Sequence, residues 1–144
     1  MTSPPRVATR PPRVLIVDDE RPNRQVLEAM LEPEGYALDS AVSGEEALAM
    51  MAKQPPDLVL LDIMMPGMNG YVVTSRIKSD PATRHIPVVL LSALDDRNSR
   101  THGLGAGADD FLTKPVDRAG LCACVRSLLG FGSGSGTGAG RRTM

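Results

Sequence analysis

Asp57-Leu58-Val59-Leu60-Leu61-Asp62 decides the fold of this chain. An unbroken aliphatic run lies between two aspartates, and Met64-Met65-Pro66-Gly67 follows it. A short apolar run bounded by turn signals reads as a strand buried on both faces. Asp62 then stands just past the carboxyl end of that strand, the edge of an open parallel sheet where ligands bind. A carboxylate there is either a turn residue or a chemical group, and the remaining residues decide between the two.

Upstream, Arg13-Val14-Leu15-Ile16-Val17 is a second apolar run, ending at Asp18-Asp19-Glu20. Pro22 suits the first turn of a helix that Asp19 or Glu20 can cap, with Val26, Leu27, Met30 and Leu31 at helical spacing. Pro33 and Gly35 end that helix, and Tyr36 to Val42 is a weaker strand. Ser43-Gly44-Glu45-Glu46 has the spacing of a capping box, and Ala47, Leu48 and Met51 give the next helix its apolar face. Downstream of Asp62, the loop Pro66 to Gly70 leads into a helix with Val73 and Ile77 on one face, closed by Asp80-Pro81. Ile86 to Leu91 is a fourth strand followed by Ser92, and Asp95 to Gly103 a polar helix. Ala108 to Leu112 is a fifth, short strand ended by Thr113-Lys114-Pro115, and Leu121, Val125, Leu128 and Leu129 stripe a last helix.

Five alternating β-α units predict an α/β fold, a doubly wound parallel sheet with helices on both faces. The flavodoxin-like order 2-1-3-4-5 is the common five-strand answer. The domain spans residues 13–129, between an N-terminal arm, 1–12, with two Pro pairs, and a Gly/Ser-rich tail, 130–144. The arm is expected to be disordered, and the tail to be a flexible coil or a truncated linker.

A chain of 144 residues, 42% hydrophobic with formal net charge -1, suits a single globular domain and gives no electrostatic case for direct nucleic-acid binding. Aromatics are scarce and Trp is absent, so the core must be aliphatic. No run approaches the ~18 apolar residues of a membrane span, and the arm has no apolar segment of a signal peptide. Cys122 and Cys124 are two apart in a helix and do not face each other, so they are expected to be reduced thiols of a cytoplasmic protein.

The 2-1-3-4-5 order makes a specific demand. Strands 1 and 3 become neighbours, crowding Asp18, Asp19 and Asp62 at one edge, with Ser92 and Lys114 arriving on strands 4 and 5. Two carboxylates 4 Å apart repel by about 4 kcal/mol at an effective dielectric near 20. The cluster therefore needs a cation, and hard oxygen ligands in a partly solvated pocket suit Mg²⁺, with Mn²⁺ an acceptable substitute. Lys114 adds a fixed positive charge. The set describes a phosphoryl site with Asp62 as nucleophile and Ser92 as a hydrogen-bond donor to a phosphoryl oxygen. Singly, each residue has a blander reading: helix caps for Asp18, Asp19 and Ser92, a turn residue for Asp62, a solvated lysine for Lys114. Their joint placement at successive strand ends favours the site.

The chain resembles a receiver domain of two-component response regulators, over roughly Arg13 to Leu129. The resemblance rests on Val17-Asp18-Asp19-Glu20, Leu61-Asp62-Ile63-Met64-Met65-Pro66, Leu91-Ser92-Ala93 and Gly107-Ala108-Asp109-Asp110-Phe111-Leu112-Thr113-Lys114-Pro115. Receivers of this kind are themselves a known instance of the 2-1-3-4-5 order. The resemblance implies that Asp62 accepts phosphate from a sensor histidine kinase or a phosphotransfer protein. It implies that Asp18, Asp19, Asp62 and the backbone carbonyl of Met64 hold Mg²⁺, and that Ser92 and Lys114 bind phosphoryl oxygens. Ser92 and Phe111 would be the switch pair, Phe111 turning inward on phosphorylation, with readout at the fourth helix, fifth strand and fifth helix. The Lys114-Pro115 bond is expected to be cis, and a homodimer on phosphorylation is one expected assembly. Asn69 departs from the Asp more usual in this family, in a loop expected to be peripheral. Gly105 departs too, as an extra helix-weakening residue at an expected frayed end.

Two rivals belong to other classes. A partner-binding pseudo-receiver without phosphoryl transfer would lack the acidic pair, the acceptor or the lysine, and none is missing. A phosphatase with an aspartate nucleophile needs a proton-moving carboxylate two residues further on, where this chain has Met64. The expectation is thus a signalling switch and not a turnover enzyme.

Overall fold

A computed structural model describes residues 10–93 and 97–130. Most of the arm, the tail from residue 131 and residues 94–96, which include Asp95 and Asp96, lie outside the described residues. The elements are β1 (Arg13–Val17), α1 (Arg21–Leu31), a 3-10 turn (Glu32–Glu34), β2 (Ala37–Ala41), α2 (Gly44–Lys53), β3 (Leu58–Asp62), α3 (Gly70–Ser79), β4 (Val88–Ser92), α4 (Arg97–Gly105), β5 (Asp110–Thr113) and α5 (Arg118–Leu128). Every pairing is parallel, in the order β2-β1-β3-β4-β5.

Alternation along the three central strands splits the core in two. Leu15, Val17, Val59, Leu61, Val88 and Leu90 face Ala47 and Met51 of α2 and Val73 and Ile77 of α3. Val14, Ile16, Leu58, Leu60, Val89 and Leu91 face Leu27 and Leu31 of α1 and Leu121 and Val125 of α5. Because both faces are covered, β3 and β4 are buried at every position, and this is why their sequences read as continuous apolar runs. Each fully buried aliphatic side chain is worth roughly 1.5–3 kcal/mol. β2 is an edge strand with only Ala41 buried, which explains its weaker pattern.

The structure corrects several local expectations. α4 ends at Gly105, two residues past its sequence reading, and β5 is Asp110–Thr113 instead of Ala108 to Leu112. Glu20 holds the N-cap position of α1 but its side chain makes no cap hydrogen bond. Asp18 takes over locally: its Oδ1 accepts from the Glu20 backbone N–H at 2.9 Å. Val26 belongs to the helical stripe yet is exposed, because the sheet is covered there by Leu27 and Leu31. The capping box of α2 forms: Ser43 accepts from the Glu46 N–H, while the Glu46 carboxylate reaches back to the Val42 N–H.

α3 is fixed at both ends. Asn69 caps it, its side-chain oxygen accepting from the Val72 N–H at 3.1 Å. The departure from Asp therefore preserves a capping acceptor. Gly70 packs its Cα against the end of β3, where a Cβ would come within 2.7 Å of the Asp62 carbonyl oxygen and 2.8 Å of the Ile63 Cα. Its N–H donates to the Ile63 carbonyl at 3.0 Å. At the other end, Lys78 Nζ donates to the carbonyls of Arg84 and Ile86 and pairs with Asp109 at 2.9 Å.

Gly70→Ala is expected to destabilise the domain by about 1–3 kcal/mol, since both clashing groups are backbone and neither can swing aside. Urea unfolding checks it, and an unchanged midpoint would mean that the start of α3 gives way freely.

Candidate functional site

Parallel pairing aligns the carboxyl ends of β1, β3, β4 and β5, and the polar residues gather there. Val17 lies opposite Leu61, so Asp18 follows β1 where Asp62 ends β3. Asp18 and Asp62 are buried and Asp19 is exposed. One carboxylate oxygen from each of the three lies within 4.8 Å of the others. Lys114, next after β5, brings Nζ to 2.8 Å from Asp62 Oδ1 and 3.3 Å from Asp18 Oδ2. Its backbone N–H donates to the Ser92 carbonyl at 2.7 Å, joining the site to the end of β4. The Lys114–Pro115 bond is cis.

Burial opposes ionisation of Asp62 and is the largest influence on it, the repulsion of Asp18 and Asp19 adding to the effect. The Lys114 hydrogen bond and charge oppose this but do not overcome it, so the Asp62 carboxyl titrates above its ordinary range. Burial works against the Lys114 ammonium as well, yet the hydrogen bonds and charges of Asp62 and Asp18 together outweigh it and hold the ammonium more firmly charged than usual. One lysine is thus insufficient to neutralise the pocket.

The donor set fits a hard divalent cation. Three carboxylate oxygens within 4.8 Å of one another could converge on one such ion, and exposed Asp19 leaves a side open to water. Among the described residues this is the group of acidic side chains close enough to share an ion.

The structure therefore brings Asp18, Asp19, Asp62 and Lys114 together. Ser92 ends β4, wholly buried, one residue beyond the Leu91 that lies opposite Asp62. Met64 lies in the loop after β3 with its side chain exposed. Phe111 stands apart from the carboxylates, opposite Leu90 on the α4 side. It is only 2% exposed, so the expected inward turn has no outward starting position in this structure. The ring is held beneath α4: the Arg100 guanidinium lies 5.0 Å from its centroid, and a Cβ on Gly103 would come within 3.3 Å of it.

Two neighbours of the pocket escaped sequence reading, and so did the Arg100 that lies over Phe111. Arg24 Nη1 donates to the Asp18 carbonyl at 2.8 Å, and Asn23 Nδ2 approaches Asp18 Oδ1 at 3.4 Å. Both face the pocket from the first turns of α1, and their position just after an acidic pair at a strand end was the available signal. Arg100 gave none, because its partner ring is distant in sequence.

The cysteines are free thiols. Burial, reinforced by the Asp110 carboxylate 3.2 Å from its Sγ, pushes the Cys124 thiol far above its usual range. Burial raises that of Cys122 as well.

Residues 14–126 match the response regulator receiver domain family. The chain belongs to that family. This receiver domain is 55% identical over 119 residues to the response regulator PleD of Caulobacter vibrioides, covering 83% of this chain and 26% of PleD. It is 38% identical to the protein PilH of Pseudomonas aeruginosa, covering 81% of this chain and 97% of PilH. It is 40% identical to RpaA of Synechocystis, described as a DNA-binding dual master transcriptional regulator, of which it spans 49%. The receiver domain thus spans about a quarter of PleD and about half of RpaA. Among solved structures, it superposes on a response regulator from Chloroflexus aurantiacus with a TM-score of 0.81 at 37% identity, covering 83% of this chain and 98% of that one. For chemotaxis protein CheY4 of Vibrio cholerae the TM-score is 0.78 at 27% identity, covering 82% and 98%. No helix among the described residues is long and apolar enough to cross a membrane.

Asp62→Asn is expected to raise the melting temperature of the metal-free receiver by a few degrees at pH 7. A carboxyl whose folded pKa is raised destabilises the fold once ionised, so the gain should be full above that raised pKa. It should vanish as pH falls through the ordinary carboxylate range, where native Asp62 is protonated in both states. Thermal melts of both proteins across pH check this, and a variant less stable at pH 7 would contradict it.

Proposed function

We propose that this receiver domain accepts a phosphoryl group on Asp62 from a sensor histidine kinase or a phosphotransfer protein, with Mg²⁺, or Mn²⁺ in its place, as cofactor. The observation that carries this reading is the gathering of the Asp62 carboxylate, the Asp18–Asp19 pair and the Lys114 ammonium at one sheet edge. Asp18, Asp19, Asp62 and the Met64 carbonyl would hold the ion. When bound, it would offset the carboxylate repulsion and the charge of the arriving phosphoryl group.

The chain's own groups account for the remaining chemistry. An Asp62 oxygen forms the new O–P bond as the P–N bond to the donor histidine breaks, and the imidazole leaves with that electron pair. Lys114, already hydrogen-bonded to Asp62, is within reach of a phosphoryl oxygen, and Ser92 at the end of β4 supplies a hydroxyl to another. Phosphorylation replaces a carboxylate by a group of greater negative charge and more acceptor oxygens. That change biases a two-state equilibrium read at α4, β5 and α5. Since Phe111 is already buried, Ser92 and α4 carry the movement and the ring serves as its fulcrum. The product is a switch and not a turnover enzyme, because Met64 cannot move a proton at the position a phosphatase needs. A cytoplasmic setting, a homodimer on phosphorylation, the absence of direct nucleic-acid contact, and a receiver spanning 13–129 complete the proposal.

Two outcomes test it. Native protein incubated with phosphoramidate and Mg²⁺ should take up one phosphoryl group and Asp62→Asn none, as read by intact mass; labelling of the variant to the native level would reject Asp62 as acceptor. Free Mg²⁺ at 100 times its Kd should stabilise the fold by about 2.7 kcal/mol, and Asp19→Asn should remove most of that. A melting temperature that ignores Mg²⁺ would remove the cofactor from the mechanism.

A further inference from the structure

α3 and α4 are separated by an open groove of about 650 Å³, lined on one wall by Val72, Ser75 and Arg76 and on the other by Gly105 and Ala106. The ring of Tyr71 bridges the two helices. Its hydroxyl donates to the Ser99 carbonyl at 3.3 Å, and its ring meets His102 edge-on, with centroids 4.1 Å apart. Ser99 and His102 both lie on α4, so a single α3 side chain grips two points almost one turn apart on the facing helix.

The other end of this contact is rigid. Tyr71 directly follows Gly70, whose Cα is seated against the Asp62 carbonyl and the Ile63 Cα with no room for a further atom. Thr74, wholly buried, ties its Oγ1 to the Gly70 carbonyl at 2.8 Å, and Asn69 caps the same turn. α4 has the opposite character. Gly103 is its buried member, and Leu104 is an exposed large apolar residue. Gly103 has a packing reason to be glycine, because a Cβ would come within 2.8 Å of Leu90 Cδ1. A Cβ on Gly105 would meet nothing within 4 Å, so Gly105 weakens the end of α4 without any close packing in return.

We propose that Tyr71 is the positioning residue that latches α4 to the phosphoacceptor end of β3. It provides a path from Asp62 to the readout helix that does not pass through Ser92 and Phe111. The latch is a bridge between a fixed helix and a loosely packed one, so a displacement of the Asp62–Ile63 backbone is delivered through Gly70 to Ser99 and His102. His102 contributes as a ring surface, and the hydroxyl sets the register of α4 along α3. The transmission step rests on the proposed phosphorylation of Asp62; the latch itself does not.

The test is hydrogen exchange on the full chain, with and without Mg²⁺ and beryllofluoride as a non-transferring phosphoryl mimic. In unloaded protein, Tyr71→Phe removes only the hydroxyl, and amides from Ser99 to Gly105 should exchange roughly fivefold faster, the equivalent of one net hydrogen bond. Tyr71→Leu, which also loses the His102 contact, should accelerate them further while β4 and β5 keep native protection. Loading should alter α4 protection in native protein and alter it clearly less in Tyr71→Leu, with Mg²⁺ affinity preserved in both. Unchanged α4 exchange in both unloaded variants, or equal acceleration of α4 and the strands, would overturn the latch. A native-sized response of Tyr71→Leu to loading would overturn the transmission path. If loading leaves native α4 unaltered, the switch reading fails, and the latch is decided by the unloaded comparison alone.

Discussion

Asp18 and Asp62 are buried together at the end of a parallel sheet, and this costs free energy that only positive charge can offset. Lys114 offsets part of it with two short contacts. The sheet order sets this constraint: β1 and β3 as neighbours bring these carboxylates together, and β5 on the far side of β4 lets Lys114 reach across. The apolar runs behind the charges hold them there, because β3 and β4 have no exposed position at which the sheet could yield. The residual negative charge is therefore a property of the fold, present before any ligand arrives.

The central strands were legible because burial on both faces leaves an unbroken aliphatic signature, as in Leu58-Val59-Leu60-Leu61. β2 read weakly for the same reason in reverse, since an edge strand buries little. The convergence of Asp18, Asp19, Asp62 and Lys114 was also legible, because strand order and strand ends suffice to place them. What resisted was choice among local partners. An acidic residue ahead of Pro22 reads as a helix cap, but Asp18 satisfies the Glu20 N–H first. Val26 lies in the apolar stripe of α1 but faces outward, since a periodicity does not say which edge of the stripe meets the sheet. Phe111 was placed on the right strand, yet no sequence pattern reveals that its ring is already inside. Tyr71 carried a helical position and nothing about the helix it touches.

α4 differs in kind from the other helices. α1, α2, α3 and α5 each bury an aliphatic face on the sheet, whereas α4 contributes Gly103 and covers Phe111 with the Arg100 guanidinium. A glycine backbone lying on an aromatic ring gives close contact with little interlocking of side chains, so sliding or tilting meets a low barrier. Polar character and near absence of core residues are thus two descriptions of one property: this helix is held by a few directional contacts.

The amino-terminal edge of the sheet is the reverse of the carboxyl-terminal one. There Arg13 pairs with Asp39 at 2.7 Å and gives its N–H to Asp57, and Lys78 joins Asp109, whose carboxylate also accepts from Val88. Each of these two cations has a carboxylate partner at that rim. The formal net charge of -1 for the whole chain therefore conceals a local concentration of charge: Asp18, Asp19 and Asp62 gather round the Lys114 ammonium at the carboxyl-terminal edge. A diffusing cation meets a concentrated attraction at that edge before it touches the surface.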